Sequence, residues 1–372
     1  MLKALFIVSL WQVILSVIVV VASATTTMYA LHDVNYLYYD VLTGKNVTSE
    51  PLRIIEASWG NIAVCSPPMC SVKRAFILAT SPDYPGEVIL IGTDISEPRA
   101  STLIYTTPFR DLSSVILAGM LPTDAPNDLT FAVTGRGTDA EGKRAIFCGF
   151  LSVDGNQSQY ELLFEIGNTG NETWEYDIDG SSTVSYIPRA PGLFPSVVAY
   201  FTLSRTEYPS GNYFTYVVAA NYTSQTVGFC EMDWKIENGH NFDSLVFDNI
   251  TNSVIGIGIN NTNSQDKNRV LVRLRMDAPL PPPSIKRPTR WNHINIPTTT
   301  CTWENIGSPF GDHPISLGGV AALLNRTFWW FGNPPEEATF DAVGINADTG
   351  REERVIANVC DAHSCFVAAG SG

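Results

Sequence analysis

The chain has 372 residues, of which 45% are hydrophobic and 16% are charged, and its formal net charge is −14. This composition is that of a packed globular protein and not of a disordered one. The negative charge argues against nucleic acids and anionic membrane surfaces as partners, because both attract positively charged proteins.

The first predicted element is a secretory signal peptide at residues 1–24. Lys3 precedes an uncharged apolar run at 4–21, and Ala22-Ser23-Ala24 follows that run. A basic start, an apolar centre and small residues at the exit predict cleavage after Ala24 and secretion of the mature chain. The alternative is an uncleaved anchor at the cell surface, because the run is long enough to span a bilayer. A membrane is an expected partner only in that case.

Short runs of β-branched and aromatic residues dominate the chain after residue 24. Typical runs are SVILAG at 114–119, LTFAV at 129–133 and TFWWF at 327–331. Gly, Pro, Asn and Asp bound these runs, and the chain contains 28 Gly and 23 Pro. The pattern predicts an all-β protein. Within TFWWF, alternation along a strand sends Trp329 and Trp330 to opposite faces.

One pattern recurs along the chain: an apolar run, a polar turn and a second run, clearest at residues 340–355 (FDAVGINADTGREERV). In this copy we interpret Asp348 as a turn residue, because Asp accepts local backbone hydrogen bonds. The copies centre near Asp40, Asp94, Asp154, Asp233, Asp277 and Asp348. Setting the runs in register gives four-strand cycles, predicted at 114–119, 129–133, 144–153 and 160–166, and again at 196–203, 213–220, 227–236 and near Leu245.

The repeat resembles the blades of secreted β-propellers in general, over nearly the whole mature chain. The resemblance implies a single propeller domain over residues 25–372. We expect six blades, with seven as the alternative because the long interval between Asp154 and Asp233 leaves room for another. The mature chain begins inside a blade, and its C-terminal segment opens another. We therefore expect the N- and C-terminal strands to pair and close the ring, which removes exposed strand edges.

Two segments depart from the repeat. Residues 168–192 contain an acidic run and are predicted to be an insertion or a degenerate blade. Residues 277–290 (DAPLPPPSIKRPTR) are proline-rich and predict an extended surface loop. The basic residues of this loop fit either a docking segment or an exposed linker.

Cysteines behind a secretory signal favour disulfides. Four residues separate Cys65 from Cys70, and four separate Cys360 from Cys365. A turn can bring each pair together, so both are candidate local disulfides.

The other three cysteines have no such neighbour. Cys148 and Cys230 occupy matching places in two successive copies of the repeat, which diverge around a ring, so we expect both to be buried thiols. Cys301 is then either free or paired with an unmatched cysteine.

Seven Asn-x-Ser/Thr sequons follow the predicted signal peptide, mostly at the turn ends of the apolar runs. Behind such a signal they predict N-glycosylated surface turns. The sequon asparagines are Asn46, Asn156, Asn171, Asn221, Asn249, Asn260 and Asn325.

The sharpest ligand-like pattern is Glu175-Tyr-Asp177-Ile-Asp179-Gly180, which imitates the first half of a calcium loop. The twelfth position of such a loop usually holds a bidentate Glu, and here it is Tyr186. Calcium at Glu175, Asp177 and Asp179 is therefore a weak expectation, and an acidic solvated turn is the alternative. We expect no other cofactor.

The sequence contains no HExxH, no Gly-x-Ser-x-Gly and no phosphate-binding glycine loop. We therefore expect a secreted, N-glycosylated propeller that binds an extracellular protein or glycan. The alternative is a propeller hydrolase or lyase whose acidic residues converge on the central channel from several blades.

Overall fold

The computed structural model describes the ranges given at the end of this paragraph, and every structural statement concerns them. The predicted signal peptide, Cys70, Cys365 and most of the proline-rich loop lie outside them. Within them no helix is long and apolar enough to cross a membrane. The described residues are 29–32, 37–47, 50–57, 62–65, 72–95, 102–112, 115–121, 129–138, 142–155, 157–167, 174–187, 196–222, 224, 226–232, 242–260, 268–276, 289–291, 301–310, 315–333, 339–361 and 366–367.

The described part of the chain is all-β, as predicted, and forms five sheets. Sheet A contains β1 (Tyr29–His32), β2 (Leu37–Asp40), β3 (Lys45–Asn46) and β26 (Phe366–Val367). Sheet B contains β4 (Glu56–Ala57), β5 (Ala63–Cys65), β6 (Arg74–Ser81), β7 (Tyr84–Asp94), β8 (Thr102–Thr106), β9 (Val115–Leu121), β10 (Leu129–Thr138), β11 (Arg144–Asp154), β12 (Gln157–Ile166) and β20 (Thr289–Trp291). Sheet C contains β13 (Trp174–Ile187), β14 (Ser196–Glu207), β15 (Tyr213–Asn221) and β16 (Thr226–Met232). Sheet D contains β17 (Phe242–Asp248), β18 (Ser253–Asn260), β19 (Asn268–Met276) and β21 (Cys301–Phe310), and sheet E contains β22 (Ile315–Leu324), β23 (Thr327–Asn333), β24 (Thr339–Asn346) and β25 (Glu352–Asp361).

Each sheet is built from antiparallel four-strand meanders. Sheets C, D and E are one meander each, in chain order. Sheet B consists of two, which we call B1 (β4 to β8) and B2 (β9 to β12), joined where Thr106 pairs with Gln157. In B1, the short strands β4 and β5 both pair with β6 and share the first position. In sheet A the C-terminal strand β26 takes the first position, because Leu31 of β1 pairs with Phe366 and Ala30 pairs with Val367.

The hairpins divide each meander into two ends. We call one the sequon end: there the first strand meets the second and the third meets the fourth, as at Asp248/Ser253 and at Asn221/Thr226. We call the other the arginine end: there the second strand meets the third, as at Thr138/Arg144 and at Thr206/Tyr213.

The hydrophobic core lies between neighbouring meanders and not within one. Because each sheet is covered on both faces, strands such as β6 are buried almost continuously instead of at alternate positions. Six clusters join neighbours, and each is identified here by one residue from either side: Phe76 with Phe131 (B1 and B2), Phe164 with Phe201 (B2 and C), Val217 with Leu245 (C and D), Ile255 with Trp330 (D and E), Phe331 with Val41 (E and A), and Val47 with Ile77 (A and B1).

The two neighbouring tryptophans of β23 follow the prediction from strand alternation. Trp329 is buried in the cluster between sheets E and A, and Trp330 is buried in the cluster between sheets D and E. Because both rings are buried, they serve packing and offer no exposed stacking surface.

The first predicted four-strand cycle corresponds to β9, β10, β11 and β12, but the second is wrong. β14, β15 and β16 are the second, third and fourth strands of sheet C, and Leu245 belongs to β17 of sheet D. The first strand of sheet C is β13, within the segment predicted to be an insertion or a degenerate blade at 168–192. The prediction failed because β13 mixes buried residues such as Tyr176 with charged ones, so it contains no apolar run.

The turn of the repeat is built on an Asx acceptor four residues before a residue with positive φ. The Asp40 carboxylate accepts the backbone N–H groups of Leu42 and Thr43, and Gly44 has φ +69°. In the clearest copy the acceptor is the Asn346 side chain, and Gly350 has φ +67°. The equivalent of Asp40 is therefore Asn346 and not Asp348.

Gly350 is also required by its surroundings. A Cβ at this position would overlap the carbonyl oxygen of Ile306 in β21, because the β24–β25 turn lies directly on sheet D. The turn therefore closes a hairpin and packs two sheets together.

A disulfide joins Cys230 of β16 to Cys301 of β21. The prediction that Cys230 is a buried thiol is therefore wrong, whereas Cys148 is buried and unpaired, as expected. The spacing argument failed because it compared Cys230 only with Cys148, whereas Cys230 packs with Cys301 in the cluster between sheets C and D. The connection from β19 to β21 contains β20, which pairs in parallel with β12. We call this connection, residues 277–300, the arm. The predicted Cys65–Cys70 and Cys360–Cys365 bonds each include a residue outside the described ranges.

Candidate binding surface

Two arginines and two carboxylates meet at the arginine end between B2 and sheet C. Asp177 accepts hydrogen bonds from Arg136 at 3.0 Å and from Arg144 at 3.3 Å, and Glu175 lies 3.9 Å from Arg144. All four side chains are partly exposed, from 30% for Asp177 to 59% for Arg144. The group is therefore neutral overall and in contact with water.

Strand pairing explains why these four residues come together. Arg136 lies near the end of β10 and Arg144 begins β11, so the two are diagonal neighbours across the antiparallel pair. Glu175 and Asp177 alternate along β13, which contacts both strands. The arrangement combines one hairpin of B2 with the first strand of sheet C.

A third arginine lies beside this group in an aromatic environment. The Arg205 guanidinium lies over the rings of Phe214, Trp174 and Tyr216, at 4.2, 5.4 and 5.7 Å from their centres. Its Nη2 donates to Glu207 at 3.2 Å. The side chain is only 8% exposed, so the cation–π contacts form in a largely dehydrated setting, where they are strongest.

The two arginine groups meet at one segment, residues 174–177, whose alternate residues point to opposite faces of β13. Trp174 pairs with Glu207 and Tyr176 pairs with Arg205 across β13 and β14, while Glu175 and Asp177 contact Arg136 and Arg144. At its margin, Tyr208 in the β14–β15 turn is 52% exposed. We call this the arginine surface, and it comprises Arg136, Arg144, Trp174, Glu175, Asp177, Arg205, Glu207 and Tyr208.

The predicted calcium ligands belong to this surface. Glu175 and Asp177 lie on a strand and not on a loop, and both contact guanidinium groups that neutralise their charge. Asp179 has its backbone in the same strand, but its side chain lies outside the described part. In the described part of the chain, no group of three or more His, Cys, Asp or Glu side chains is arranged to hold a metal ion. We therefore do not propose calcium here.

The predicted glycosylation sites differ in exposure. Asn46, Asn249 and Asn325 are exposed, whereas Asn221 is only 8% exposed. Asn260 ends β18, and its side chain is not described; Asn156 and Asn171 lie outside the described ranges.

The sequon end carries a different ion-pair network, which spacing arguments did not identify. Arg326, in the β22–β23 turn, donates from Nη1 to Asp248 at 2.7 Å and from Nε to Asp348 at 3.1 Å, and its Nη2 also contacts Asp348. Asp248 ends β17 and is 1% exposed, whereas Asp348 is 55% exposed. Arg326 therefore links sheets D and E, and we call the three residues the clamp.

The clamp lowers the pKa of both carboxyl groups. Burial alone would raise the pKa of Asp248, but hydrogen bonds from Arg326, the Thr251 hydroxyl and the Ile250 N–H outweigh burial and hold it below its ordinary value. The hydrogen bonds from Arg326 likewise lower the pKa of Asp348. Both groups are thus held in the charged form.

The first strands of the meanders bear on the enzyme alternative, because they are the strands that would line a central channel. β9 (VILAGML) and β22 (ISLGGVAALL) contain no Asp, Glu or His. β4 contributes Glu56, and β13 and β17 contribute further acidic residues, of which Asp177 and Asp248 are paired with arginines.

Comparison with known proteins identifies no family for the chain. No protein-family model matches the chain, and no curated protein is significantly similar to it in sequence.

Proposed function

We propose that residues 25–372 form a closed six-bladed β-propeller. B1, B2, C, D, E and A are then the six blades, in that order around the ring. The inter-sheet clusters support this order, because they link successive meanders from B1 to sheet A. The return from sheet A to B1 is made by Val47, which follows β3 and packs, partly buried, against the cluster of Ile77. Successive contacts of β5 with β9, β9 with β13, β13 with β17 and β17 with β22 place the first strands next to one another, as around a shared axis. The pairing of β1 with β26 supplies the closure.

We further propose that this propeller is a secreted binding module whose partner is an extracellular protein. The arginine surface carries this proposal. Arg, Trp and Tyr are the residues that most often dominate protein–protein binding energy. Arg136, Arg144, Trp174 and Tyr208 are of these types and are partly or largely exposed, whereas Arg205 is buried against aromatic rings. The Cys230–Cys301 disulfide fits an oxidising, extracellular compartment.

A protein fits this surface better than a glycan. Glycan stacking needs an open aromatic face, but the Trp174 and Phe214 rings are partly buried and face the Arg205 guanidinium. The exposed features are alternating positive and negative charges, which select a partner by charge complementarity.

The test is a binding screen of the purified protein against a panel of extracellular protein domains and a glycan array, repeated with two variants. Arg144→Ala removes an exposed contact of the arginine surface, and we expect it to weaken binding to the protein partner at least tenfold. Exposed ion pairs contribute little to folding, so its thermal stability should change little. Arg351→Ala, at an exposed position of the sequon end, is the matched control and should bind like the wild type.

Three results would contradict the proposal. Binding to glycans alone would make the ligand a carbohydrate. Equal binding by Arg144→Ala and the wild type would place the interface elsewhere. Hydrolysis of a glycan or ester by the wild type, lost on substitution of channel carboxylates, would favour the enzyme alternative.

A further inference from the structure

We propose that N-glycans occupy the sequon end at Asn46, Asn249 and Asn325, and that Asn221 carries none. Five sequon asparagines have a described backbone, and four of them lie at the sequon end: Asn46 in β3, Asn221 at the end of β15, Asn249 in the β17–β18 turn and Asn325 in the β22–β23 turn. Asn260 ends β18 at the arginine end of sheet D, outside B2 and sheet C.

Exposure separates Asn221 from the other three. Asn46, Asn249 and Asn325 are exposed, so a glycan on the side-chain nitrogen extends into water. Asn221 is 8% exposed, and its Oδ1 accepts the backbone N–H of Ser224 to form the β15–β16 turn. Glycans are attached to the chain as it enters the secretory pathway, and a bulky group on a buried side chain blocks the native turn. Folded, secreted molecules should therefore carry no glycan there.

The clamp places two of these glycans side by side. Arg326 follows Asn325 and donates to Asp248, which precedes Asn249. The two sequon turns of sheets D and E are thus held together by one buried ion pair. Glycans on them shield the exposed hydrogen bonds of the clamp and the exposed Ile250, which is 77% accessible.

The three exposed sites all lie at the sequon end, away from the arginine end of B2 and sheet C. Asn171 lies outside the described ranges and precedes Trp174 of the arginine surface by three residues. The inference rests on passage through the secretory pathway, which is part of the proposed function, but not on the identity of any partner.

The experiment measures the occupancy of each sequon. Residues 1–24 are replaced by a heterologous signal peptide, so that failure of the native segment to direct secretion cannot be mistaken for absence of glycosylation. The secreted monomer is treated with peptide N-glycosidase in heavy-oxygen water, and peptide mass spectrometry reports each converted asparagine. We expect conversion at Asn46, Asn249 and Asn325 and none at Asn221.

Two control variants show which asparagine gives rise to which mass-spectrometry signal. Asn249→Gln removes one site while keeping the Thr251 hydroxyl that bonds to Asp248, and Thr327→Val removes the Asn325 sequon while keeping a β-branched strand residue. Each should remove one glycan and no other. Occupied Asn221 in the folded monomer, or unmodified Asn249 and Asn325, would overturn the inference.

Discussion

Replacing Arg326 with alanine is expected to destabilise the protein by about 3 kcal/mol, because the substitution leaves the buried Asp248 carboxylate without its cation. Asp248 keeps the hydrogen bonds from Thr251 and Ile250, so we expect the lower part of the range for a broken buried ion pair. The substitution leaves the Asn325 sequon intact, because Asn-Ala-Thr is still a sequon. Chemical denaturation of the secreted variant and wild type measures the difference.

Two comparisons separate the ion pair from a general packing effect. Asp348→Asn removes the exposed partner of Arg326 and should cost less than about 1 kcal/mol. The pKa values of Asp248 and Asp348 are lowered in the folded protein, so their stabilisation is complete above the ordinary carboxyl pKa of about 3.9 and is lost as the pH falls below it. The difference between wild type and Arg326→Ala should therefore shrink below about pH 4. A difference that is constant from pH 7 to pH 3 would show that the clamp acts through packing alone.

Removing the Cys230–Cys301 disulfide, in a Cys230→Ala/Cys301→Ala double variant, is expected to destabilise the protein by about 4 kcal/mol. The bond closes a loop across a sequence separation of 71, and the entropy of that loop in the unfolded chain sets the estimate. The bond also anchors the return of the arm to β21, so amide hydrogen exchange at 289–291, where β20 pairs with β12, should accelerate. Thermal unfolding and hydrogen exchange measure the two effects.

Cys148→Ala is the matched control for the disulfide variant. It also removes a buried sulfur, but it breaks no cross-link, so we expect a loss of only about 1 kcal/mol and no change in exchange at β20. Equal stability of the double variant and the wild type would mean that the arm is held by other contacts.

Individual strands could be predicted from the residues within them, whereas the position of each strand in its sheet could not. The hydrophobic runs identified most strands, and five of the six motif copies fall on the third strand of a meander. The copy at residues 227–239 falls instead on β16, a fourth strand, because a strand followed by a polar turn looks the same wherever it lies in a sheet. Missing β13 then shifted the whole predicted cycle of sheet C by one strand.

The turn between β24 and β25 was misaligned for the same reason, because local sequence does not show which residue takes which place in the turn. Asp348 drew attention because the other copies centre on Asp, yet the acceptor that forms the turn is Asn346. Aligning Thr349-Gly350 with Thr43-Gly44 would have found it, because the positive φ of the glycine fixes the geometry. Asp348 contacts Arg326 across the sheet boundary instead, a role that local sequence cannot encode.

The candidate binding surface could be predicted only in part. Glu175 and Asp177 were selected for their spacing, but the arginines that neutralise them come from β10 and β11, 41 and 33 residues before Asp177 in sequence. Arg205 carries no motif at all. Which charges meet depends on the pairing of strands and the packing of one meander on the next, and these are tertiary properties.

Ring closure is tested most directly by a cross-link between the chain ends. Ala30 and Val367 are directly opposite in the pairing of β1 with β26, and opposite residues of an antiparallel pair are close enough for a disulfide. In an Ala30→Cys/Val367→Cys variant we expect peptide mapping of the monomer to show a bond between residues 30 and 367, formed without added oxidant. A monomer with both new thiols free, or cross-linked only between molecules, would contradict the closed ring.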